Sequence, residues 1–154
     1  MFSVIYKEIE YEGMLIYDLK ESTFYYEPWN DVDFSIILGS SYIGLDLNLY
    51  ENKILQLSGY SSKRNWIKKR LTIPEGSTGE LYISNLDKNW FSGSGVIYDI
   101  SINIYFDINT GWICIGNLFE EVSYKNVVEF AKDSIAVINN EGVLLSLYIR
   151  PIIK

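Results

Sequence analysis

The sequence predicts an all-β domain, and three observations carry that prediction. First, β-branched and aromatic residues dominate its apolar positions: aromatics alone are 16% of the chain, whereas alanine occurs only at Ala131 and Ala136. Strand formers are abundant and the best helix former is almost missing. Second, several segments alternate apolar and polar residues with a period of two, which places one set of side chains on a core face. Third, turn signals recur at short intervals, with no helical stretch of 10–15 residues between strands. The expectation is one domain over residues 1–154. It is an antiparallel β-sandwich or a strongly curved sheet of about ten strands, with at most one short helix.

The elements follow in chain order. Glu12-Gly13 divides a first strand pair, about 3–11 and 14–19. Tyr25-Tyr26-Glu27-Pro28-Trp29-Asn30-Asp31 reads as a loop, and Phe34-Ser35-Ile36-Ile37-Leu38 as a strand. Ile43, Leu45, Leu47 and Leu49 alternate with Tyr42, Gly44, Asp46, Asn48 and Tyr50. Glu51-Asn52-Lys53 turns the chain into a partner strand from Ile54 to Tyr60, with Leu55 and Leu57 inward. Tyr98, Ile100, Ile102, Ile104 and Phe106 alternate again, before Asp107-Ile108-Asn109-Thr110-Gly111 closes a hairpin onto residues 112–116. Ser92-Gly93-Ser94-Gly95 is read as a turn leading into that strand. A last hairpin joins Ile135–Ile138 to Val143–Arg150, with Val143, Leu145, Leu147 and Ile149 on one face. The one helical candidate is short, near 118–126, where Asn117 could cap and Glu120 and Glu121 favour a helix N-terminus.

Composition excludes several chemistries. The chain has no histidine and one cysteine, Cys114. A Ser-His-Asp or Cys-His site is therefore impossible within it, as are an internal disulfide and the usual zinc sites. Cys114 lies in the run Trp112-Ile113-Cys114-Ile115 and is expected to be a buried, inert thiol. No phosphate-cradling Gly-x-x-x-x-Gly-Lys-Ser/Thr loop occurs. A glycosidase pair would need two carboxylates, for which Asp31 and Asp33 are the candidates; spaced acids on a β protein are more often solvated surface. Asp46 and Asn48 share a strand face and could meet a calcium ion, but the dense Asp/Asn/Gly loop spacing is missing. The expectation is a protein without enzymatic activity, cofactor or metal. No signal-peptide pattern and no apolar run of about 18 residues is found, so a soluble cytoplasmic protein is expected.

Net charge is −7 and uneven: residues 1–51 carry −8, residues 52–74 carry +6, and residues 75–154 carry −5. An acidic surface repels nucleic acid and favours basic partners. Basic residues cluster in Lys63-Arg64-Asn65-Trp66-Ile67-Lys68-Lys69-Arg70. Bases around an aromatic are what a single-stranded nucleic acid groove uses; a charged edge that deters strand pairing uses them too, and that reading is preferred. Nucleic acid is thus not the expected partner. The candidate recognition surface is the aromatic and acidic segment holding Tyr25, Tyr26, Glu27, Trp29, Asp31 and Asp33. Tyr and Trp dominate interface energetics, and the acids would speed encounter with a basic protein.

Three stretches carry a resemblance. They are Leu57-Ser58-Gly59-Tyr60 followed by Trp66 and Pro74, then residues 107–116, then Val128-Glu129-Phe130-Ala131. With them, this acidic, histidine-free β domain resembles the immunity proteins of bacterial contact-dependent or polymorphic toxin systems. The resemblance implies a cytoplasmic inhibitor that binds a cognate toxin domain, a basic one by the charge argument above, and covers its active site. It assigns no residue. Two other classes remain open: a carbohydrate-binding or phage accessory β-sandwich, and a nucleic-acid-binding β domain.

Overall fold

The computed structural model describes residues 1–84, 89–124 and 126–154. Among the described residues, fifteen strands join into one mixed, strongly curled sheet. They are β1 (Phe2–Tyr6), β2 (Met14–Asp18), β3 (Thr23–Glu27), β4 (Phe34–Leu38), β5 (Tyr42–Asn48), β6 (Lys53–Tyr60), β7 (Ile67–Lys68), β8 (Ser77–Ile83), β9 (Ser94–Tyr98), β10 (Ile104–Phe106), β11 (Ile113–Gly116), β12 (Asn126–Ala131), β13 (Ser134–Ile138), β14 (Leu144–Ile149) and β15 (Ile152–Ile153). The all-β, strongly curved architecture is as the sequence predicts. No helix among the described residues is long and apolar enough to cross a membrane.

The sheet runs β15-β2-β3-β6-β8-β12-β13-β14-β11-β10-β7, with β1 on β8, and with β5, β4 and β9 branching from β6. Most neighbours are antiparallel, but β4/β9, β7/β10, β8/β12 and β2/β15 are parallel. Curling brings the two halves of the sheet face to face over one core. That core takes Phe24, Ile36, Leu45, Leu57 and Leu81 from one half and Ile113, Ala136, Leu147 and Ile149 from the other. Burial of this aliphatic and aromatic surface is the main stabilising term.

A second, smaller cluster lies on the opposite face of β11, β13 and β14. Cys114, Ile135, Val137 and Tyr148 are covered there by Leu71, Ile73, Leu118, Phe119 and Val122. β13 is therefore buried at all five residues, which explains why Ser134–Ile138 reads as a continuous run instead of an alternation. The segment expected to be helical provides part of that cover. It contains only a 3-10 turn, Phe119–Glu121, before β12 begins at Asn126; Lys125 lies outside the described residues.

Five local readings are corrected. β1 and β2 do not pair with each other: β1 pairs with β8, and β2 with β3 and β15. In β6 a bulge shifts the register so that Asp46 faces Gln56 while Leu47 faces Ile54. Ile54 then joins Leu57 in the core, and Leu55 turns to the surface side. A second bulge, at Ile138, puts Leu144 in the main core with Leu147 and Ile149, leaves Val143 exposed and turns Leu145 to the second cluster. Residues 98–106 are not one strand: β9 ends at Tyr98, and the chain crosses to the other half of the sheet before β10. Ser94 and Gly95 belong to β9, not to a turn.

A candidate protein-docking surface

The hairpin β4–β5 sets the position of the site. Phe34 pairs with Leu47, so the loop that leads into β4 runs beside the turn that leaves β5. Residues 28–33 form a ridge there. Pro28 and Asn30 line a cleft of about 380 Å³ that also takes in Glu10, Tyr11, Glu12 and Glu80. Trp29 and Asp33 line a second of about 270 Å³ with Ser35, Gly93 and Ser94. Asp31 lines a third of about 380 Å³ with Asn48, Tyr50 and Glu51.

The ridge is held from beneath by a buried polar network. Asp46 is 2% exposed and Gln56 is fully buried. The Asp46 carboxylate accepts from Ser35 Oγ (2.6 Å), Ser58 Oγ (2.6 Å) and Gln56 Nε2 (3.1 Å). Gln56 Oε1 in turn accepts from the backbone N–H and the Nδ2 of Asn30, both at 3.1 Å. Asp46 and Gln56 thus meet their partners within this network, as burial demands. At the other end of the ridge, Asp33 N–H donates to Leu47 O (3.1 Å), and Asp33 Oδ1 accepts from Leu49 N–H (3.0 Å). Gly93 N–H donates to Asp33 O at 2.6 Å.

The residues singled out in the sequence separate into three groups. Trp29 is 57% exposed and Asp31 is exposed, and the two stand together on the ridge. Glu27 is exposed at its edge, 4.0 Å from Lys154 Nζ, a separation at which an ion pair contributes little. Asp33 is half-buried and its carboxylate is used to fix the loop. Tyr25 and Tyr26 are not on the ridge, because both belong to β3. Tyr26 is a core residue, 7% exposed beside Phe24 on the inward face, and its assignment to a binding surface is withdrawn. Tyr25 is half-buried on the other side of that strand.

Sequence reasoning missed Tyr50, which it places on the polar face of a strand, and Glu51, which it treats as a turn residue. Tyr50 is 95% exposed, and Glu51 is exposed next to Asp31. The surface that results presents two large aromatic side chains among Asp31 and Glu51, with Glu10 and Glu12 beyond Asn30. The two bases that line the cleft beside Pro28 and Asn30 are already engaged. Lys7 Nζ and Lys53 Nζ both contact the Glu80 carboxylate, at 2.6 and 2.9 Å. Hydrogen bonds from Lys7 and then Lys53 hold the Glu80 carboxyl below its ordinary range.

Other candidates lose their chemistry. The Asp46 oxygens are occupied by three donors, and Asn48 Oδ1 accepts from Tyr50 N–H at 2.9 Å. Neither is turned to a cation. Among the described residues no group of three or more acids or thiols is placed to hold a metal ion. Trp66, the aromatic within the basic stretch, is 7% exposed. It stacks on Phe24 at 5.9 Å, and its Nε1–H donates to Ser61 Oγ at 2.9 Å. No base can stack on it. Lys63, Arg64, Lys68, Lys69 and Arg70 are exposed around the short edge strand β7, a placement that deters pairing with a further strand. Burial pushes the Cys114 thiol up to about 12, so it is a packing residue. No family model matches the chain, and no curated protein matches it.

Proposed function

We propose that this chain is a protein-binding inhibitor that engages a basic protein domain and blocks it, as an immunity protein neutralises its cognate toxin. The ridge 28–33 together with Tyr50 and Glu51 is the docking surface. The observation that carries this reading is the combination of an exposed Trp29, flanked by exposed acids, with a loop backbone pinned by part-buried hydrogen bonds. A rigid aromatic anchor loses little freedom on binding, and aromatic anchors supply most interface energy. The surrounding acids would steer a basic partner and oppose an acidic one.

The test is a pull-down from native cells with the full chain as bait, followed by binding kinetics on the protein recovered. A single stoichiometric basic partner is expected. Trp29→Ala should weaken binding by roughly 2 kcal/mol or more, the range of an interface hot spot. Asp31→Lys with Glu51→Lys should mainly slow association and flatten its salt dependence. Asp33 is left intact because it fixes the loop. Recovery of no partner, or of one whose binding ignores both changes, would sink the proposal.

A further inference from the structure

We infer that the partner is held in part by strand addition, an extended basic segment pairing with the open edge of β9. This rests on the proposed function and names the partner's chemistry at the same surface. β9 pairs with β4 alone among the described strands. Tyr98 O accepts from Gly39 N–H at 2.8 Å on the β4 side. Backbone groups alternate along a strand, so Val96 and Tyr98 face β4, while Gly95 and Ile97 turn their N–H and C=O to the open side. Gly95 and Ile97 are the exposed residues of the strand, Ile97 at 72%.

This edge lacks the usual protection. Residues 91–98 contain no charge and no proline, and Phe91 is 67% exposed. The other described strands that pair on one side only, β1, β7 and β15, are guarded. β7 is surrounded by Lys63, Arg64, Lys69 and Arg70, and β15 is two residues long beside Lys154. β1 is closed at its start, where Phe2 N–H donates to Gly142 O at 2.8 Å, and it runs into Lys7-Glu8. An uncharged edge that stays open is a template for an added strand.

Charge selects the occupant. β9 starts against the ridge, with Gly93 N–H on Asp33 O and Ser94 sharing the cleft with Trp29 and Asp33. Asp31 and Asp33 thus flank one end, and exposed Asp99 follows the other. A second copy pairing antiparallel would set Asp99 against Asp31 and Asp33 between chains that each carry −7. A partner strand with bases at its ends meets acids at both ends instead.

The experiment uses the full chain and a labelled peptide, Lys-Val-Thr-Val-Thr-Val-Lys, read by fluorescence anisotropy and by amide exchange. The peptide should protect the Gly95 and Ile97 amides and bind more tightly than its Glu-ended twin. Ile97→Lys, at an exposed side chain, and Ile97→Pro, which removes an outward N–H, should each weaken it by about tenfold. Thermal melts of both variants establish that they fold. Equal binding of the Glu-ended peptide, unchanged binding by the variants, or protection confined to residues 28–33 would overturn the inference. On the partner recovered by pull-down, dependence on Trp29 and Asp31 but not on Ile97 would refute strand addition and leave the proposed function standing. Dependence on Ile97 alone would do the reverse.

Discussion

Replacing Asp46 by alanine removes the acceptor on which the ridge is built. The carboxylate accepts three hydrogen bonds, two at 2.6 Å and one at 3.1 Å, at a residue only 2% exposed. Hydrogen bonds to an ionised group contribute about 1.5–3 kcal/mol each, but their sum overstates the loss because two of the donors are hydroxyls that can rotate. Gln56 Nε2 cannot escape in that way. Its side chain is fully buried, and its Oε1 is tied to Asn30. One stranded amide donor costs about 1–3 kcal/mol, and the void left by the carboxylate adds to it. The expected total for Asp46→Ala is roughly 3–5 kcal/mol, measured by urea unfolding at pH 7 with an unchanged denaturant slope. Asp46→Asn keeps one acceptor oxygen and the shape, so it should cost only about 1–2 kcal/mol. The exchange of the Asn30 amide should speed up in both variants, because the orientation of Gln56 depends on Asp46. An Asp46→Ala protein within about 1 kcal/mol of the parent, with Asn30 protection intact, would refute the claim that this network holds the loop.

Trp66→Ala should destabilise by about 3–5 kcal/mol, since the indole packs with Tyr17, Phe24 and Phe106 in the core; a near-neutral result in urea unfolding would restore it as a surface residue. Cys114 should resist thiol reagents in the native state and react only as fast as the chain opens; fast labelling at pH 8 would contradict its burial. The same thiol gives a pH signature. Its unfolded value is about 8.5 and its folded value about 12, so above the former the unfolded state loses a proton that the native state keeps. Stability should therefore fall between these two values, and Cys114→Ala should reduce that slope. Glu80 acts in the opposite limb. Its folded value is lowered by Lys7 and then Lys53, so its contribution is present above about 4.3 and is lost as pH falls through the folded value. Glu80→Gln should flatten the acid side of the stability curve measured by denaturation.

How much of this was legible in the sequence depends on what sets each feature. The β5–β6 hairpin is a local pattern: Ile43, Leu45 and Leu47 are buried as their alternation requires. The face of β6 was misread at Leu55 because a bulge inserts one residue, and alternation counted from the turn then slips to the wrong side. The same failure recurs at Leu144. Bulges leave no mark in a period-two pattern, since the extra residue here is itself apolar. β1 and β2 were paired wrongly for a different reason. They are neighbours in sequence, but β1 finds its partner in β8, more than 70 residues on, and nothing local encodes a distant pairing.

The docking surface shows both sides of this limit. Trp29 and Asp31 were legible by composition, as an aromatic and an acid in a segment without alternation. Tyr26 falls among them in a sequence reading that starts the loop at Tyr25; the inward pattern Phe24, Tyr26 shows that β3 extends to Glu27. Tyr50 and Glu51 were missed although register arithmetic reaches them. A turn at 39–41 that pairs Ile37 with Gly44 must also pair Phe34 with Leu47, which carries residues 31–33 alongside 48–50. Asp46 was misassigned in the opposite sense. A polar residue on the outward face of a hairpin reads as solvated, and only the return of residues 28–33 across that face buries it. The cover is then what makes the ridge rigid. The same carboxylate that sequence reading weighed as a cation ligand instead supplies, through Gln56 and Asn30, the fixed backbone on which Trp29 and Asp31 stand.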